Sequence, residues 1–227
     1  MELSAVVTGT SSGIGQAVAQ ALLGAGWRVT GLSRRPGPLA ADGLAWLECD
    51  LADPAALSVA TGRLRGRPWG ALVHAAGFQR VGRLGSLDHA AGAAMWQVHV
   101  AAAQQLADAL VGDLSDGGRI VLVGSRTAVG VAGKSQYAAT KAALVALARS
   151  WAAELAPRQV TVNVVAPGPT ETAMLSDPAR AAVAPVTPPL GRRVRADEVA
   201  SLVVYLLSPA GAMITGQTLT ICDGTSL

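Results

Sequence analysis

Residues 3–26, LSAVVTGTSSGIGQAVAQALLGAG, run from a short apolar stretch through a glycine-rich turn into an amphipathic segment. Leu3 to Val7 reads as a strand, and Ile14, Val18 and Leu22 recur at the spacing that gathers side chains on one face of a helix. Gly9, Gly13 and Gly15 stand at the junction. There, unhindered backbone N–H groups and the positive end of a helix dipole can meet a dinucleotide pyrophosphate. A glycine pattern is weak evidence by itself, and its place between a strand and a helix gives it weight. No lysine follows Gly15, so the turn is not an NTPase phosphate loop. A tight turn that binds nothing is the competing reading.

The same alternation continues along the chain. Trp27 to Leu32 reads as a second strand, Leu44 to Glu48 as a weak third and Ala71 to Val73 as a fourth, with Ala- and Leu-rich helical segments between them. Asp88 to Val111 reads as one long helix, Arg119 to Gly124 as the fifth strand, and Gln136 to Ala156 as a second long helix. That helix carries an apolar stripe of Leu144, Leu147, Ala148, Trp151 and Leu155. Val160 to Val165 is the sixth strand, Asp197 to Leu207 a helix and Thr218 to Cys222 the last strand. Strand and helix in alternation predict an α/β protein, a single doubly wound domain over residues 1–227 with helices on both faces of a parallel sheet. The Pro-rich stretch around residues 170–190 follows a strand directly, and a lid over the site is expected there. Asp197 and Glu198 are expected to serve the start of their helix through its dipole.

Composition narrows the function. Hydrophobic residues make up 51% of the chain and the net charge is only +3, which excludes a disordered chain and gives no basic stripe for nucleic acid. Arg63, Arg65 and Arg67 read as a solvated edge. Two cysteines, Cys49 and Cys222, are too few for a disulfide framework and fit a reducing compartment. No apolar run approaches the ~18 residues of a membrane span, so the expectation is a cytoplasmic protein without a membrane partner. The histidines have no metal-ligand spacing, so no metal is expected.

Chemistry concentrates in residues 125–141, SRTAVGVAGKSQYAATK. Tyr137 and Lys141 are one helical turn apart and project from one face, while Ser125 ends a strand. A free phenol has a pKa near ~10, too high for a base at neutral pH. A cation about 4 Å away, at an effective dielectric near ~20, favours the phenolate by roughly 4 kcal/mol and brings it towards neutrality. Tyr137 is the candidate general acid/base, Lys141 its cation, and Ser125 a hydrogen-bond donor to a substrate oxygen. An isolated Tyr and Lys at this spacing would more often be surface decoration, and it is Ser125 and the glycine turn that favour catalysis. Ser125 lies in VGSRT, which lacks the glycines of the hydrolase elbow GxSxG.

TGTSSGIG resembles the TGxxxGIG turn of the short-chain dehydrogenase/reductase family, and further matches extend over nearly the whole chain. HAAG at 74–77 resembles that family's NNAG, and Ser125, Tyr137 and Lys141 match its catalytic residues. NVVAPGPTET at 163–172 resembles the turn that touches the nicotinamide, and ITGQTLTICDG its closing strand. The resemblance implies a Rossmann-like domain of about seven parallel strands, a nicotinamide cofactor, and a homodimer or homotetramer packed through its long helices. It further implies cofactor contacts from Gly9, Ser11, Ser12, Gly13, Ile14 and Gly15 in the first turn, and from Asp50 and Leu51 after the third strand. Ala75, Ala76 and Gly77 would contribute after the fourth strand, Pro167, Gly168, Thr170 and Thr172 after the sixth, and Tyr137 and Lys141 at the ribose. At the end of strand two stand Ser33, Arg34 and Arg35, with guanidinium groups and no carboxylate, so NADP(H) is expected over NAD(H).

Two departures stand out. The family usually has an Asn in its long helix that holds a proton-relaying water, and WQVHVAAA places His99 there. Two roles are open for it: a space-filling hydrogen-bonding group, or a member of the relay and hence a fourth catalytic residue. His74 replaces the first Asn of NNAG, where a structural tie between strands is expected. Phe78, Val129, Val131, Met174 and Leu175 predict a largely apolar substrate pocket, with Arg80, Arg126 and Lys134 as possible partners for an anionic substituent. The expected function is an NADP(H)-dependent oxidoreductase acting on a small ketone or secondary alcohol. The alternatives are a nucleotide-binding regulatory protein with little turnover and a β-ketoacyl-type reductase. Asp116 stands where such reductases tend to carry a basic residue, which argues for a small free substrate.

Overall fold

Strand β1 (Ser4–Thr8) is buried along its entire length, the mark of a strand covered on both faces. The computed structural model describes residues 3–176 and 188–227. In chain order, β1 is followed by α1 (Gly13–Gly24), β2 (Arg28–Ser33), β3 (Leu44–Glu48), α2 (Pro54–Leu64), β4 (Trp69–His74), α3 (His89–Trp96) and α4 (Ala102–Leu110). Then come β5 (Leu114–Val123), α5 (Ser135–Leu155), β6 (Thr161–Pro167), the short strands β7 (Thr170–Glu171) and β8 (Val194–Arg195), α6 (Ala196–Leu207) and β9 (Thr218–Ile221).

Seven strands form one parallel sheet in the order β3-β2-β1-β4-β5-β6-β9, while β7 and β8 pair separately. The two-residue period of the strands divides the core. Val6, Leu72, Ile120 and Val162 point to one face, where they pack with Leu57 of α2, Leu106 of α4 and Leu144 of α5. Val7, Val73, Val121 and Val165 point to the other, against Val18 and Leu22 of α1 and Val203 and Leu206 of α6. Each fully buried leucine contributes roughly 1.5–3 kcal/mol by leaving water. The chain leaves β1 towards β2 in one direction and returns to β4 in the other, which opens a crevice at the carboxyl ends of these strands.

Local chemistry sets the helix starts. Asp53 caps α2 through the amides of Ala55 (2.8 Å) and Ala56 (3.3 Å), and Asp88 caps α3 through that of Ala91 (2.9 Å). At α6, Glu198 accepts the Arg195 amide at 2.9 Å and pairs bidentately with Arg192 at 2.6 and 2.8 Å.

The helix expected over Asp88 to Val111 is not uniform. A five-residue π segment, Gln97–Ala101, lies between α3 and α4, and within it the Val98 carbonyl is turned to His74 Nε2 at 3.1 Å. A side chain that reaches into the backbone ladder is a recognised cause of such an interruption. Most of the expected lid, residues 177–187, lies outside the described residues. Before it, Thr170–Glu171 pairs with Val194–Arg195, so the chain is anchored on both sides of that stretch.

Candidate active site

The crevice is a cleft of about 630 Å³ that runs from the end of β2, past the β1–α1 turn, to the ends of β4, β5 and β6. At its centre the glycines decide the geometry. Gly9 has φ +77°, and a Cβ there would lie 2.9 Å from Ala76 Cα. A Cβ on Gly15 would strike the carbonyl oxygens of Gly9 and of Thr8. The turn is thus pressed against the loop after β4 with no room for side chains. Ser12 caps α1 without a side-chain hydrogen bond and no acidic residue occupies the first turn, so the helix N-terminus is open to an anion. These are the features a pyrophosphate requires, and the turn fits a dinucleotide.

At the β2 end, Arg34 borders the cleft and Arg35 does not. Ser33 is held on several sides. Its hydroxyl donates to the Arg35 carbonyl at 2.7 Å and accepts from the Trp46 indole at 3.1 Å. Asp50 borders the cleft as well, and its carboxylate accepts the Ala52 amide at 3.0 Å.

The loop after β4 hangs on side chains. Thr8 Oγ1 accepts the amides of Ala75 and Ala76, both at 3.0 Å, and stands 3.1 Å from His74 Nδ1. His74 Nε2 donates to the Val98 carbonyl, so Nδ1 is the bare nitrogen and takes the Thr8 hydroxyl hydrogen. Burial pushes its pKa down to about 3, so the ring is neutral. His74 therefore ties β4 to β1 and to the π segment.

At the other end, Ser125 ends β5 and begins a 3₁₀ turn, Arg126–Val129, with its Oγ 2.9 Å from Thr127 Oγ1 and accepting the Thr127 amide at 3.2 Å. Tyr137 and Lys141 lie on α5, both buried. The Lys141 ammonium donates to the Val123 carbonyl at 2.9 Å and stands 5.7 Å from the centre of the Tyr137 ring. Burial pushes its pKa down to about 7. An anion brought into the cleft, whether the Tyr137 phenolate or a phosphate, favours the charged form again.

All the expected cofactor residues except Arg35, and all the expected catalytic residues except His99, border the cleft. His99 lies behind it, fully buried and edge-on to the Tyr137 ring, with centroids 5.6 Å apart. Of the expected pocket residues, Phe78, Met174 and Leu175 border the cleft, as do Arg80, Arg126 and Lys134. Val129 and Val131 do not. The 3₁₀ turn carries Val129 outwards, where it is 92% exposed. Thr8, Thr140 and Trp46 have no local pattern that marks them, since their partners His74, His99 and Ser33 lie 66, 41 and 13 positions away. Among the described residues no cluster of His, Cys, Asp or Glu could hold a metal ion, and no helix is long and apolar enough to cross a membrane.

Residues 9–226 match the family model described as enoyl-(acyl carrier protein) reductase. The 3-oxoacyl-(acyl-carrier-protein) reductase FabG of Salmonella typhimurium is 34% identical over 235 residues, 97% of this chain and 96% of the relative. D-erythrulose reductase of Gallus gallus is 35% identical over 239 residues, 97% of this chain and 94% of the relative. Among solved structures, a short chain dehydrogenase from Burkholderia cenocepacia in complex with NADP superposes with a TM-score of 0.86 at 34% identity, covering 100% of this chain and 99% of the other.

Proposed function

The chain belongs to the short-chain dehydrogenase/reductase family and is an oxidoreductase of that family, and from this premise we propose that it transfers a hydride between NADP(H) and a small, largely apolar ketone or secondary alcohol. The observation that carries the reading is the shared cleft. It joins the open N-terminus of α1 to Ser125, Tyr137 and Lys141.

In this reading the glycine turn from Gly9 to Gly15 holds the pyrophosphate, Arg34 meets a 2′-phosphate, and Asp50 and Leu51 border the adenine. Bound nicotinamide supplies the hydride acceptor or donor. Ser125 orients the substrate oxygen, and Tyr137 gives that oxygen a proton in reduction or removes one in oxidation. Lys141, fixed by the Val123 carbonyl, supplies the positive charge that favours the phenolate. Phe78, Met174 and Leu175 give the substrate end its apolar wall. The reading includes a cytoplasmic location and a homodimeric or homotetrameric assembly.

The similarity to 3-oxoacyl-(acyl-carrier-protein) reductases favours a second reading, reduction of carrier-bound β-ketoacyl groups. Against it, Asp116 forms an ion pair with Arg158 at 3.0 Å at the opening of β5. Rates with NADPH against cyclic and aliphatic ketones, ethyl acetoacetate and acetoacetyl-CoA separate the two. Turnover of free ketones, abolished in Tyr137→Phe with NADPH binding retained, is the expected result. Activity confined to the thioester supports the second reading. Binding of NADPH without turnover of any of these overturns both, in favour of a regulatory role.

A further inference from the structure

Three hydrogen bonds, two of them at His99, form a chain in which each donor and acceptor is fixed. The Phe78 amide donates to His99 Nε2 at 3.1 Å, and an amide hydrogen can only meet a lone pair, so Nε2 is bare. The ring proton is then on Nδ1, which donates to Thr140 Oγ1 at 2.8 Å. The Thr140 hydroxyl in turn donates to the Tyr137 carbonyl at 2.8 Å. The ring touches both flanks of the site, since a Cβ on Gly77 would lie 3.0 Å from Nε2 and the Tyr137 ring stands edge-on to it.

We propose that His99 is a positioning residue, a direct strut between the loop after β4 and the catalytic turn of α5, and that it takes the place of a relay water instead of passing protons. The inference rests on the oxidoreductase reading of the cleft. Its physical ground is saturation. To take a proton at Nε2 the ring must release the Phe78 amide, and to give one from Nδ1 it must release Thr140, so every relay step dismantles the strut. The titratable groups that face the ring are Lys141, His74 and Tyr137. Lys141 disfavours a second positive charge beside it, and burial holds His99 well below its ordinary pKa. The strut fixes the spacing between Gly77, which borders the cleft at the β4 loop, and Tyr137 on α5. On this reading proton exchange at Lys141 does not pass through His99, and Lys141 itself lines the cleft.

The test uses the full chain with NADPH as the probe, and compares His99→Asn, Thr140→Val and Thr140→Ser with the wild type. A strut predicts that His99→Asn and Thr140→Val each weaken NADPH binding, read by quenching of protein fluorescence, by about tenfold. Thr140→Ser, which keeps the hydroxyl, restores it. The inflection of the kcat–pH profile stays where the wild type has it, and combining His99→Asn with Thr140→Val adds little to either. Unchanged NADPH binding in Thr140→Val overturns the proposal. So does a His99→Asn enzyme with unaltered NADPH binding but a displaced pH inflection, or one rescued by added imidazole. Should His99→Asn not fold, the Thr140 pair decides. If the wild type turns over no carbonyl compound, the functional reading fails, while the binding measurements still decide the strut.

Discussion

The Lys141 ammonium reaches across from α5 to donate to the Val123 carbonyl at the end of β5, 2.9 Å away, with its charge buried. The cost of that burial depends on pH. Above about 10.5 the amine is neutral in both states and costs nothing. Between about 10.5 and about 7 only the unfolded chain takes the proton, so stability falls as pH drops, and below about 7 the full cost is present. Without cofactor, Lys141→Met is expected to be more stable than the wild type in urea at pH 7, with the advantage shrinking towards pH 10. A difference that does not vary with pH contradicts this.

His74 gives the opposite outcome on substitution, because its hydrogen bonds connect buried groups. His74→Leu leaves the Thr8 hydroxyl and the Val98 carbonyl short of a partner, at a cost of about 2–4 kcal/mol at pH 7. The wild-type ring stays neutral down to about pH 3, whereas the unfolded chain is protonated below about 6.5, so wild-type stability falls as pH drops through that window. The leucine variant lacks this loss. Its deficit in urea midpoint should therefore narrow between pH 7 and pH 5.

Arg34 and Arg35 are adjacent in sequence and differ in place. Only Arg34 borders the cleft. A charge-assisted contact to phosphate is typically worth about 1.5–3 kcal/mol, so Arg34→Ala should raise KM for NADPH by roughly 10- to 100-fold and leave NADH little changed. Arg35→Ala should move the ratio of kcat/KM values much less. Equal effects from the two substitutions would place the 2′-phosphate elsewhere.

Gly15→Ala tests the turn without touching a charge. Its methyl group has no position free of the Gly9 and Thr8 carbonyl oxygens. The β1–α1 turn must shift, and NADPH binding measured by calorimetry should be lost or weakened by at least tenfold while far-ultraviolet dichroism is kept. Gly62→Ala, on the exposed side of α2 with open space around it, serves as the control and should bind normally.

The sequence by itself determined the central strands of the sheet, because buried parallel strands carry short apolar runs that need no partner to be recognised, whereas the edge strand β3 is largely exposed and reads weakly. It also offered Tyr137 and Lys141 as catalytic candidates, since their spacing along a helix is local. Boundaries moved by a few residues, as at β5, which starts at Leu114 and not at Arg119. What the chain could not disclose was the direction of its hydrogen bonds. Whether His99 is a relay or a strut turns on Phe78 and Thr140, 21 and 41 residues away, and that Arg34 borders the cleft while Arg35 does not emerges only in the folded chain. Apolar burial follows from composition and period, which lie along the sequence. A hydrogen bond needs two particular atoms about 3 Å apart in a set orientation, and for residues so far apart only the tertiary structure brings them there.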